Sequence, residues 1–232
     1  MTNKNPKDNK FTEDYGFLVE GSTDKNFIED FLELFQKREE IINKNYEVKQ
    51  INDGGKANFF IDGCIQAFIN ESNQNKFTLI LIIDADSEFQ DNTGQPAGFI
   101  KVDNKIKEII KKIKSNDIYK NLEILHYIMP FHDEQNFGQL EDLFIKSLNS
   151  KFTKKLDECL KTYQKCLEKE EPKPKIAENK MPKIQMEILL KSFDKNLSKD
   201  NLTEWIDYNH KSLDNFKKFL KEKVFKIRTN KQ

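Results

Sequence analysis

The chain of 232 residues suits one large domain, or one domain with a helical extension. Its 39 basic and 39 acidic residues cancel, which excludes a globally basic nucleic-acid or membrane binder but leaves room for a local basic surface. Arginine occurs only at Arg38 and Arg228, so recognition through many bidentate guanidinium forks is also excluded, and the abundant lysine and asparagine read as a solvated surface.

Cys64, Cys159 and Cys166 form no CxxC pair, so neither a disulfide framework nor a structural zinc site is expected. Cys159 and Cys166 are expected on one helix face, packed inward. The amino-terminal MTNKNPKDNK is polar rather than a signal peptide. No apolar run reaches the roughly 18 residues of a membrane span. A soluble protein of the reducing cytoplasm is the expectation.

In chain order, a strand is predicted over about 15–20, closing on Glu20, then a helix over 23–38 with Phe27, Ile28, Phe31, Leu32, Leu34 and Phe35 on its apolar face. Residues 46–51 alternate as a half-exposed edge strand would. NDGGKAN reads as a turn. One helix is expected next, with Phe59, Phe60, Cys64, Ala67 and Phe68 inward. FTLILIIDAD follows, the most apolar run, which reads as a central parallel strand covered on both faces. After the loop SEFQDNTGQPAG, a helix over 99–114 carries Val102, Ile106, Ile109, Ile110 and Ile113. A strand over 122–129 and a helix starting near Gln139 complete the series.

The βαβαβαβα order from Tyr15 to Ser150 predicts an α/β domain over 12–150, with a mainly parallel sheet and helices on both faces. Residues 151–232 are expected to form a helical extension. EEPKPKIAENKMP marks a bend in it, and Ile184, Ile188, Leu189, Phe193, Trp205, Phe216, Phe219 and Leu220 should pack back on the first domain.

Glu20, Asp84 and Asp86 stand where strands end, the place at which open α/β sheets bind ligands. A period of two would point Asp84, Asp86 and Glu88 the same way. Carboxylates gathered there repel one another unless a cation neutralises them, and hard oxygens favour Mg²⁺ or Mn²⁺. The competing reading is solvated acids that avoid each other. Ser22 reads as the cap of the first helix, which would make Asp24 a helix-dipole residue. Gly21 lets the chain turn and leaves the helix amino terminus open to a phosphate. Lys56 reads either as a phosphate contact or as part of a surface turn. His132 is a candidate substrate contact. His126 reads as structural, and His210 has no assigned role.

LVEGSTDKNF followed by LILIIDADSE resembles the Toprim domain of primases, topoisomerases, small RNA-maturation nucleases and nucleases of the overcoming-lysogenization-defect type. FGQLEDLF is similar to the G-x-LED element of small standalone Toprim-like proteins. The resemblance implies that Glu20 is a metal ligand or general acid/base and that Asp84 and Asp86 bind metal. It implies that Asp24, Glu141 and Asp142 join the metal site; Gly21, Lys56, Glu88 and His132, by their own positions, are the candidate substrate contacts. For Glu141 and Asp142, a helix amino terminus would favour acids in any case.

The implied activity is hydrolysis of phosphodiester bonds in DNA or RNA with Mg²⁺ or Mn²⁺, as an effector in defence against mobile elements. The chain has no Walker motif, so an ATPase would be a separate partner; a homo-oligomer is compatible with the sequence. Two further readings stay open. One is a non-catalytic Toprim scaffold that binds nucleic acid, nucleotide or protein. The other is a phosphatase of the haloacid dehalogenase type, which expects a threonine or valine where Glu88 stands.

Overall fold

The computed structural model describes residues 13–39, 41, 45–51, 56–61, 63–70, 77–86, 96–129, 139–167, 184–185 and 205–227. Strand β1 (Tyr15–Val19) stops one residue short of Glu20 and leads into helix α1 (Ser22–Arg38), whose Phe27, Ile28, Phe31, Leu32, Leu34 and Phe35 are buried as their spacing predicts. Gly21, not Ser22, is the N-cap, and it is extended (φ −130°) rather than sharply turned. Glycine is there for space: a Cβ would lie 3.3 Å from Asp24 Oδ2.

Strand β2 (Tyr46–Gln50) buries only Val48. The single helix expected next is two, α2 (Ala57–Phe60) and α3 (Cys64–Asn70). Ile61 is extended and Gly63 takes φ +90°, a conformation open to glycine, and neither fits a continuous helix. Strand β3 (Thr78–Asp84), helix α4 (Phe99–Lys114) and strand β4 (Glu123–Met129) lie within a residue of their expected bounds. Helices α5 (Leu140–Lys146) and α6 (Ser150–Leu167) follow. Cys166 is exposed and Cys159 half-buried, which corrects the inward packing expected of the pair.

The four strands are all parallel, in the order β2-β1-β3-β4. Alternation along them divides the core into two layers. Phe17, Val19, Ile80, Ile82, Tyr127 and Met129 face α1 and α5; Leu18, Leu79, Leu81, Ile83, Ile124 and Ile128 face α3 and α4. β3 is therefore covered on both sides, as its uncharged sequence requires.

The carboxy-terminal segment completes the first layer. Trp205, Leu213, Phe216, Leu220, Val224 and Phe225 are buried against α1, β4 and α6, through a helix α7 (Asp214–Phe219) and a π-helical turn (Leu220–Val224). An antiparallel bridge, Leu148 to Ile206, ties the segment to the α5–α6 junction: Asn149 N donates to Trp205 O and Asp207 N to Ser147 O, each at 2.7 Å. The segment thus packs back on the sheet domain, as expected. Ile184 is half-buried; Ile188, Leu189, Phe193 and the proline-rich bend lie outside the described residues. Among the described residues, no helix is long and apolar enough to cross a membrane.

Candidate functional site

β1 and β3 are neighbours, and their continuations diverge, β2 lying to one side and β4 to the other. The crevice at their carboxyl ends is the point where the strand order reverses, the usual ligand position in an open parallel sheet. Glu20 follows β1 and Asp84 ends β3, so both acids stand at this crevice. A hydrogen bond joins them: Asp84 N donates to Glu20 Oε1 at 2.8 Å. Leu140 N, at the start of α5, donates to Asp84 Oδ1 at 2.9 Å. Glu20 Oε2 and Asp84 Oδ2 carry no hydrogen bond among the described residues.

Burial dominates the electrostatics. It raises the Glu20 carboxyl from the ordinary 4.5 to about 8; the Asp84 N–H and the Lys56 charge oppose the rise, while Asp86 and Asp24 add to it. Asp84 is pushed well above the carboxylate range by burial first, then by the charges of Glu20, Asp24, Glu141 and Asp86. Five acids are thus brought within mutual influence: Glu20, Asp24, Asp84, Asp86 and Glu141.

Asp86 does not continue the alternation of β3. Its φ of +57° turns the backbone out of the strand, yet its carboxylate and that of Asp84 both reach the start of α5, at Gln139 Nε2 and Leu140 N. Asp86 Oδ2 meets Lys56 Nζ at 3.0 Å and Oδ1 accepts from Gln139 Nε2 at 3.1 Å. Lys56 also donates to Ala85 O at 3.2 Å. That carbonyl accepts Gly98 N as well, at 2.7 Å, where φ +86° makes glycine necessary.

Lys56 is only 5% exposed, so the surface-turn alternative does not hold. Gln139, 4% exposed, was not foreseen as a site residue, and its Oε1 has no hydrogen-bond partner among the described residues.

Asp24 and Asp142 have a second task. Each sits in the first turn of a helix and accepts the N–H of the residue three back, Gly21 for Asp24 and Gln139 for Asp142, both at 2.8 Å. Gly21 N is thus already engaged by a protein carboxylate, which corrects the picture of that amide standing open to a phosphate. Asp142 is raised by burial and held back by the Gln139 N–H and the charge of Lys146. Asp24 also acts on Glu20 and Asp84. His126 meets Asp103 at 2.7 Å, a structural pair as expected. Glu88 and His132 lie outside the described residues.

The sequence model of the family DUF3226, described as a protein of unknown function, matches residues 15–225. The chain belongs to the DUF3226 family. That match begins with β1 and ends at Phe225, so the DUF3226 sequence pattern includes the carboxy-terminal segment along with the sheet. Neither a curated protein nor a solved structure matches the chain significantly.

Among the described residues, no group of three or more His, Cys, Asp or Glu side chains stands in ready-made ligand geometry for a metal. The donor chemistry nonetheless fits a hard divalent cation. Glu20 Oε2 and Asp84 Oδ2 are unoccupied carboxylate oxygens beside one another's charge, and proton uptake is what otherwise relieves their crowding.

Proposed function

We propose that this DUF3226 protein is a metal-dependent hydrolase of phosphodiester bonds, a Toprim-like nuclease acting on DNA or RNA. The observation that carries this reading is the meeting of Glu20 and Asp84 at the sheet's reversal point, each with one carboxylate oxygen unengaged among the described residues. Mg²⁺ or Mn²⁺ would be held through those two residues, with Asp24 and Glu141 adding charge, and would supply an activated water and stabilisation of the leaving oxygen. The chain's own contribution is positioning. The Asp84 N–H orients Glu20, the Leu140 N–H orients Asp84, and Lys56 keeps a fixed positive charge beside them.

The likeness of LVEGSTDKNF, LILIIDADSE and FGQLEDLF to Toprim elements supports the same reading. A role in defence, with an ATPase as a separate partner, rests on that likeness alone.

The test is a cleavage panel over single- and double-stranded DNA, RNA and tRNA, with Mn²⁺ or Mg²⁺ and with EDTA. Wild type is expected to cut only with metal. Glu20→Gln is expected to be inactive while melting cooperatively. Cutting that persists in EDTA, or a Glu20→Gln protein as fast as wild type, rejects the mechanism.

A further inference from the structure

Lysine is rarely buried, because removing an ammonium from water is costly unless it is paired and hydrogen-bonded. Lys56 is 5% exposed and lies among the acids, its Nζ held by Asp86 Oδ2 and Ala85 O. Its charge also acts on Glu20. We propose that Lys56 is a built-in cation standing in for one of two metal ions, so that the site admits a single divalent ion, held through Glu20 and Asp84, while Asp86 seats Lys56 and binds no metal. This rests on the metal-dependent reading above and assigns roles within it.

The hydrogen bonds separate the acids into two kinds. Asp86 has both oxygens engaged, by Lys56 and by Gln139. Glu20 and Asp84 each have one engaged, and in both cases by a backbone N–H that fixes the carboxylate without neutralising it. Of these three strand-end acids, Glu20 and Asp84 are the ones whose charge no neighbouring ammonium compensates directly.

Gln139 is an independent sign that the site takes a cation or a donor. Its Oε1 is buried without a partner among the described residues while its Nε2 holds Asp86, and a buried carbonyl oxygen calls for one or the other. A second dication held on Asp86 would have to share that carboxylate with the Lys56 ammonium, which cannot withdraw without leaving Asp86 uncompensated.

The experiment is a count of bound Mn²⁺ by calorimetry and electron paramagnetic resonance on the full chain, without nucleic acid. Wild type is expected to bind one ion and Asp86→Asn still one, whereas Glu20→Gln and Asp84→Asn should weaken it tenfold or more, at least the order of loss seen for supporting groups of metal sites. Lys56→Met keeps the buried stem and removes the charge; it is expected to bind two. Should Lys56→Met fail to fold, the wild-type count and Asp86→Asn still decide.

Two ions on wild type, or an ion lost in Asp86→Asn, overturns the assignment while leaving metal dependence intact. No ion at all overturns both. One ion with this dependence but no cleavage of any substrate rejects the nuclease and leaves the role of Lys56 standing.

Discussion

Glu20 holds its proton more tightly in the folded chain than in the unfolded one, about 8 against an ordinary 4.5, chiefly through burial. Between those values the folded state binds more protons, so stability falls as pH rises and is greatest on the acid side. Asp84 is raised too and acts in the same direction. The slope cannot exceed about 1.4 kcal/mol per pH unit for each proton involved. Urea unfolding in EDTA from pH 5 to 8 should therefore show wild type losing stability relative to Glu20→Gln, and added Mn²⁺ should reduce the difference. A wild-type curve parallel to that of Glu20→Gln would show that the carboxyl titrates normally. These two acids were legible in the sequence because a charge at the end of an uncharged strand is unexpected in a core. Lys56 was legible only as a candidate phosphate contact and Gln139 not at all, since their partner Asp86 is 30 and 53 residues away and only the assembled sheet brings them together.

Helices α1 and α5 begin alike, each with an aspartate folded back on the preceding N–H. At α5 this bond engages the Asp142 carboxylate, and the charge acting on it is that of Lys146. Asp142→Ala should consequently cost about 1 kcal/mol by chemical denaturation, the usual worth of a helix cap, and leave Mn²⁺ affinity unchanged. A large fall in affinity would make Asp142 part of the metal site after all. Asp24 lies closer to the acids, so its loss would remove a cap and relieve repulsion at once. Among the elements, α4 was readable to the residue because Val102, Ile106 and Ile113 repeat on a helical period. The break between α2 and α3 was not read, although Asp62-Gly63 is a turn dipeptide: apolar residues on both sides kept an approximate helical spacing and concealed it.

The whole molecule depends on residues far apart in sequence. Trp205 is 1% exposed and lies 5.6 Å from Phe152 and 6.2 Å from Phe144, ring to ring. Phe216 packs on Phe31 at 5.2 Å and on Tyr127 at 5.0 Å. Trp205→Ala should cost about 3–5 kcal/mol, as for other aromatic truncations in cores, measured by urea unfolding; a change under about 1 kcal/mol would fit a surface contact instead. The return of this segment was legible from its aromatic residues, whereas the layer it would join was not, because α1, α5 and the sheet each offer an apolar face. Its position has a consequence during biosynthesis. The chain emerges amino terminus first, at about 5–20 residues per second, so β1 and α1 precede Phe216 by some ten seconds or more. Throughout that interval Phe31 lacks the ring that covers it in the finished protein, as Tyr127 does once it has been made. The nascent sheet must then wait with part of one apolar face uncovered until the chain has been made as far as Phe225.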